Sequence, residues 1–398
     1  MNVRDIQGLI ESWAPREVAW ERDNVGLQCG DPQAEVRKIL VALDVTEGVV
    51  AEAHRRKANL IISHHPLLFR PVQSIHPGTP TGRCLRALIA NDISLLSAHT
   101  NLDFARGGTS FALGEALGLE KIEFLHRPYR TQKKIVTFVP ASHVDTVADA
   151  MADAGAGVIG NYARCSFRTT GTGTFQGNES SSPAVGRRGI LEEVPEVRLE
   201  MVVQQWDVGR VIRAMRSAHP YEEVAYDVLG TDTPVTAFGQ GVIGTLPRPV
   251  PPATFIRTLK KVLGVAAVRC TPFHKRTVQT VAACGGSGSE LLAEAVRQGA
   301  DLFVTADVKY HAFHDALGET ILVDAGHWET EFPVVPVLAA RLEREIERRI
   351  SRPSHSDEAP LADAQTQPLS THRRARPRKA DGIPIMVATT PTNPVRYV

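Results

Sequence analysis

The chain is poor in the features that mark a specialised setting. Its five cysteines, Cys29, Cys84, Cys165, Cys270 and Cys284, are odd in number, widely spread and free of any C-x-x-C pair. That argues against a disulfide framework and a zinc ribbon and leaves reduced, structural thiols. Neither charge is in excess: 45 basic side chains stand against 44 acidic ones, a formal net charge of +1. A chain so balanced exerts no general pull on nucleic acid or anionic lipid, so nucleic acid is not an expected partner and a charged ligand must be gripped locally. Unbroken apolar runs are missing too. Nothing approaches the roughly 18 residues of a membrane span. The opening MNVRDIQGLIESWAPREVAW interleaves charged and apolar residues at helical spacing, where a signal peptide needs an uninterrupted apolar core. A cytoplasmic protein with no membrane partner is expected, and no solenoid-type repeat is visible.

What is present is 398 residues, 43% of them hydrophobic, enough for two or three cores. Up to about residue 125, apolar runs of strand length alternate with amphipathic stretches: VRKILVALDV, ANLIIS and ISLLSAH read as strands, TEGVVAEAHRRK and GRCLRALIAND as helices. This is α/β order with a mostly parallel sheet. Between about 130 and 235 the rhythm changes. KKIVTFVP, YARCSFRTTG, EVRLEMVVQQ and EVAYDVLG read as strands, SHVDTVADAMADA and DVGRVIRAMRSA as helices, and the Gly- and Ser-rich stretch 171–189 as a loop. That β-α-β-β-α-β order is the split arrangement of a ferredoxin-like α+β domain. The α/β rhythm then returns, closing with a long helix near Arg349. The expected organisation is a core domain in two halves, 1–129 and 236–350, an inserted domain over 130–235, and a disordered tail over 351–398 in which only IPIMVATT offers a short docking strand.

Three segments carry chemistry. Leu60-Ile61-Ile62-Ser63-His64-His65-Pro66 ends a buried strand on two imidazoles, with Pro66 holding His65 extended. Such a strand end lies at the carboxyl edge of a parallel sheet, where α/β folds place their sites. Ser97-Ala98-His99-Thr100-Asn101-Leu102-Asp103 follows a second strand and brings His99 and the Asp103 carboxylate to the same edge. In Ile321–Glu331 a strand and a glycine turn lead into a helix that sets His327 and Glu331 at i and i+4 on one face. Each alone would pass for an ordinary loop pair. Together they supply imidazoles and carboxylates in a mixture that suits zinc, iron, manganese or nickel. Five side chains exceed the need of one catalytic zinc and suit two ions sharing a carboxylate.

The segments WERDNVGLQCG, IISHHPLLF, SAHTNLD, CGGSGSE, VTADVKYH and AGHWETE, in this order, resemble the Nif-three-like dinuclear metal-centre protein family, whose members are often labelled GTP cyclohydrolase I type 2 homologues. GVIGNYARCSFRTTGTGTF and HPYEEVAYD are similar to the insertion of its long bacterial form, and the resemblance spans about residues 1–345. It implies two divalent metal ions held by His64, His65, Asp103, His327 and Glu331, with Glu331 as the bridge, in a ring-shaped homohexamer whose metal sites face its interior. Ala306 departs from the family's usual glycine in T-G-(D/E), and the tail after 350 has no counterpart in it.

Weaker signals surround these. The Gly285–Glu290 turn between a strand and a helix could cradle an anion on its amides. Asp23, Asn24 and Gln28 form a polar turn that the resemblance brings near the site. His99, Tyr310 and His311 are candidates for orienting a ligand or moving a proton, with His311 and His314 equally readable as a helix-surface pair. His219-Pro220-Tyr221-Glu222-Glu223 is read as a Pro-stiffened turn. The leading expectation is a metal-dependent hydrolase acting on a nucleotide or phosphoester-like small molecule. Its rival is a metal-binding regulatory or scaffold protein without turnover.

Overall fold

The computed structural model describes residues 1–127, 131–160, 162–182, 184–233, 235, 237–351 and 382–396. The chain divides into two compact units, one of residues 1–126 with 240–398 and the other of residues 127–239. None of the helices among the described residues is long and apolar enough to cross a membrane.

The first unit contains two sheets. One has five strands in the order Gly26–Cys29, Ser94–Ser97, Leu60–Ser63, Ile39–Ala42 and Ile385–Val387, the first joint antiparallel and the other three parallel. The three inner strands are buried along their whole length, which is why they read as continuous apolar runs instead of alternating ones. The other sheet runs Arg269–Cys270, Ile321–Asp324, Leu302–Ala306, Val278–Ser287, Gln240–Val250 and Glu120–His126, and only its two inner joints, on either side of Leu302–Ala306, are parallel. The fold is thus mixed α/β, with the first sheet parallel at three of its four joints and the second at two of its five. A parallel joint needs a crossover helix, whereas Glu120–His126, Gln240–Val250 and Val278–Ser287 pair as antiparallel neighbours. His126 and Gln240, where the chain leaves and re-enters this unit, are direct partners in that register.

The second unit has the element order strand Gln132–Pro140, helix Val144–Asp153, strands Phe167–Gln176 and Leu191–Gln204, helix Val208–Ala218 and strand Tyr226–Gly230. Its four strands lie antiparallel in the order second, third, first, fourth. Both helices bury one apolar stripe, Val147 and Met151 on the first and Val211 and Met215 on the second, against Ile135, Leu199 and Met201 of the sheet. The stretch 171–189, expected as a loop, is strand for its first six residues. Thr-Gly alternation weakens a strand but leaves its backbone able to pair, and Gly171 to Gln176 do pair with Glu196 to Leu191.

Within the tail, the IPIMVATT segment supplies the short docking strand expected of it. Residues 352–381 lie outside the described residues, but 382–396 are ordered onto the first unit. Ile385–Val387 forms an edge strand parallel to Ile39–Ala42, with Ile383, Ile385 and Val387 packed on one core cluster and Met386 and Ala388 on another. This short apolar segment gains enough from edge pairing and packing on both faces to overcome a composition that otherwise favours disorder.

Candidate metal centre

The site is built where strands of the first unit end. Pairing continues past Ser63: the His64 and His65 amides donate to the carbonyls of Ala42 and Leu43 at 3.1 and 2.9 Å, so both histidines leave a fixed backbone. His64 is fully buried, with Nδ1 2.8 Å from the Ala98 carbonyl oxygen. His65 Nδ1 lies 2.7 Å from Asp44 Oδ1. Gly326, at φ 90°, turns the chain from Ile321–Asp324 into the helix His327–Glu331, and His327 Nδ1 lies 2.6 Å from Asp307 Oδ2. An acceptor at each Nδ1 assigns the proton there and leaves each Nε2 with a lone pair.

All three Nε2 atoms converge on one carboxylate. Glu331 Oε1 lies 3.1 Å from His327 Nε2 and 3.8 Å from His64 Nε2, and Oε2 lies 2.8 Å from His65 Nε2. Asp103 Oδ1 is 3.5 Å from His64 Nε2. His99, held through Nδ1 by Asp23 at 2.9 Å, places its ring 5.3 and 5.5 Å from those of His64 and His65. Despite this crowding, His64 Nε2, Asp103 Oδ1 and Glu331 Oε2 are buried and make no hydrogen bond of acceptable geometry. For Oε2 the 2.8 Å approach of His65 is an ion-pair distance without hydrogen-bond alignment. Buried atoms left so are costly unless something else satisfies them. Two donors on one tetrahedral divalent ion, each about 2.1 Å from it, stand about 3.4 Å apart, and the distances here run from 2.8 to 3.8 Å on either side of that. Two overlapping triplets, His64–His65–His99 and His65–His327–Glu331, bring their donor atoms close enough together to hold a metal ion, and His65 belongs to both.

The charge balance agrees. Burial alone would lower the basicity of His65, but its hydrogen bond to Asp44 and the negative charge of Glu331 beside it outweigh that and push it up to about 10. The hydrogen bond with Glu331 is the largest influence on His327 and raises it to about 9. His64 is also raised, its burial outweighed by Asp103 and Glu331. Burial would raise Glu331, yet the imidazoles of His327, His64 and His65 hold it well below the usual carboxylate range. Asp103 is raised by burial, and Glu331 adds to the shift. The pocket therefore attracts positive charge, and imidazolium protons supply it when no metal ion does.

Gly286 makes room for this. Its φ is +64°, and a Cβ there would overlap Glu331 Oε1 and come within 3.2 Å of His327 Nε2. The same turn gives up its amides to the protein: Gly286 N–H donates to Thr330 Oγ1 and Gly285 N–H to Ser110 Oγ. Two of the amides that an anion cradle at Gly285–Glu290 would use are thus taken up within the protein. Asn24 and Gln28 pin the loop after Pro66 through the Leu68 backbone. Asp23 also receives the amide and hydroxyl of Thr100.

His64, His65, Asp103, His327 and Glu331 come together, and His99 with them. His311 does not, since it sits with Tyr310 and His314 on the exposed helix Tyr310–Asp315. His219 closes its own turn, with Tyr221 N–H donating to Nδ1 and Nε2 set 3.0 Å from the Phe138 carbonyl oxygen. Two participants escaped the sequence reading, Asp44 and Asp307. Asp44 follows the strand Ile39–Ala42 as His65 follows Leu60–Ser63, which was a usable signal. Asp307 follows the Ala306 departure and takes the left-handed φ of 54° itself, which spares Ala306 any need for glycine.

The Duf34/NIF3 (NGG1p interacting factor 3) family model matches residues 1–355. The chain belongs to the Duf34/NIF3 family. Among its relatives, a protein of Halalkalibacterium halodurans named GTP cyclohydrolase 1 type 2 homolog is 37% identical over 372 residues, 93% of this chain and 98% of that protein. One of Mycobacterium tuberculosis with the same name is 39% identical over 342 residues, 84% and 89% of the two. The solved structure of a Bacillus cereus protein related to NIF3 superposes with a TM-score of 0.82 at 37% identity, covering 100% of this chain and 99% of that one. Staphylococcus aureus protein SA1388 follows at a TM-score of 0.75 and 28% identity, with the same coverage.

Proposed function

We propose that this Duf34/NIF3 chain holds two divalent metal ions, zinc, iron, manganese or nickel, between His64, His65, Asp103, His327 and Glu331, with Glu331 shared by both. In this reading it acts as a metal-dependent hydrolase on a nucleotide or phosphoester-like small molecule. The observation that carries the reading is the convergence of three Nδ1-anchored imidazoles on the buried Glu331 carboxylate, beside atoms that no protein hydrogen bond satisfies. The name GTP cyclohydrolase 1 type 2 homolog, which the chain's relatives carry, is in keeping with a nucleotide hydrolase.

When bound, such an ion pair supplies Lewis acidity that lowers the pKa of water toward neutrality and polarises a scissile group. The protein's own groups do the rest. Asp44, the Ala98 carbonyl and Asp307 orient His65, His64 and His327. His99, steadied by Asp23 through Nδ1, stands with its ring beside those of His64 and His65 and can orient what binds there. The second unit is read as a ferredoxin-like insertion, and the assembly as a homohexamer in the cytoplasm, where five free cysteines stay reduced.

Elemental analysis of protein purified without added metal, run with a turnover panel of nucleotides and phosphoesters, tests both halves. About two metal equivalents per chain, and turnover that disappears in His65→Ala, are expected. Metal without turnover on any member of the panel would replace the hydrolase reading by a regulatory or scaffold one. Absence of metal would remove both.

A further inference from the structure

The C-terminal segment does more than extend a sheet. After Ile385–Val387 it is tied down at Glu52, whose buried carboxylate accepts the backbone N–H and hydroxyl of both Thr389 and Thr390. Arg56 bonds the same carboxylate and the Val387 carbonyl. This anchor lies away from the metal-site histidines. Two residues beyond it, the chain reaches the site.

Thr392 is the contact. Its hydroxyl donates to Asp44 Oδ2 at 2.6 Å and accepts from Trp328 Nε1 at 2.9 Å. Asp44 uses its other oxygen for His65 Nδ1, and Trp328 is the neighbour of His327. One hydroxyl therefore joins the partner that orients His65 to the helix that carries His327 and Glu331. Asn393 adds a second tie to that helix, its Nδ2 donating to Glu329 Oε1 at 2.9 Å. The partner behind a ligating histidine sets its tautomer and ring angle. The Thr392 bond fixes which way the Asp44 carboxylate faces, and Trp328 fixes where the hydroxyl sits.

We infer that Thr392 is a positioning residue for the metal centre, holding Asp44 against His65 and clamping the two strand-end segments of the site together, so that the docked tail controls how tightly metal is retained. The inference rests on the metal-binding reading above. Loss of an outer partner of a ligating histidine typically costs 10–100-fold in affinity. Because Thr392 acts one bond further out, the lower end, about tenfold, is expected.

The test uses the full chain loaded with cobalt(II), whose visible bands report ligand geometry, in wild type, Thr392→Val and Thr392→Ser. Release of cobalt to a chelator is timed, and hydrogen exchange of the Ala388 amide, bonded to the Val41 carbonyl, reports tail docking. Thr392→Val should release cobalt about tenfold faster with a shifted visible spectrum while the Ala388 amide stays protected, and Thr392→Ser should restore both properties. Wild-type rate and spectrum in Thr392→Val, or no rescue by serine, would overturn the inference while leaving the metal reading intact. Faster release only together with loss of Ala388 protection would also overturn it, making Thr392 an anchor. A wild-type chain that takes up no cobalt would sink the metal reading itself.

Discussion

Gly286 and Glu331 occupy complementary space: the Glu331 carboxylate lies where a side chain on Gly286 would begin. Gly286→Ala should therefore displace Glu331 and strip metal. The left-handed φ of +64° adds strain to the overlap. Metal content below half of wild type, with a folded circular dichroism spectrum, is the expected result. Full metal content would show that the turn can move and that Glu331 is not pinned by it.

Glu331 and Glu329 separate cleanly. Glu331 faces the three imidazoles, whereas Glu329 is buried against the tail and accepts from Asn393. Glu331→Gln should lower stoichiometry from two metals to one or fewer per chain, because a shared carboxylate offsets the repulsion between two close cations. Glu329→Gln should keep both metals. The reverse pattern by elemental analysis would move the ligand assignment along this helix.

Metal-free protein should be sensitive to alkali. His65 and His327 are raised to about 10 and about 9, above the ordinary imidazole value of 6.5. Groups raised in the folded state contribute stability that is complete below the unfolded value and is lost as pH rises through the folded ones. Melting temperature of the metal-free chain should therefore fall between about pH 7 and pH 10. Metal uptake at neutral pH should release protons, detectable by calorimetry in buffers of different ionisation enthalpy. A flat melting profile with no proton release would show that these imidazoles are neutral without metal.

The tail should let go in acid. Burial would raise Glu52, but its hydrogen bonds from Thr390, Thr389 and Arg56 lower it from 4.5 to about 2. A depressed carboxylate contributes stability that is complete above the unfolded value and is lost as pH falls through the folded one. Exchange of the Ala388 amide should accelerate as pH drops from about 4.5 to about 2, beyond its intrinsic pH dependence. Glu52→Gln should release the segment at neutral pH. Protection unchanged in that variant would mean the edge strand suffices alone.

Excising 127–239 should be tolerated. His126 and Gln240 are already direct antiparallel partners, so a tight turn can join them without moving the sheet. The shortened chain is expected to retain its metals. Aggregation on expression would show that the two units depend on each other.

Local pattern alone singled out the residues of the candidate site. A buried strand shows as an unbroken apolar run, and polar residues after it mark where it ends, so His64, His65, Asp103 and the His327–Glu331 pair were legible one segment at a time. Helical spacing likewise put His327 and Glu331 on one face. Tertiary structure decided what periodicity does not encode. Which strands become neighbours depends on pairing between distant segments, and it made mixed sheets of what looked parallel. Asp44 and Asp307 meet their histidines 21 and 20 residues away, and Thr392 meets Asp44 across 348. A hydrogen bond depends on where two atoms lie in space, and separation along the chain carries almost no information about that once the chain has folded back on itself.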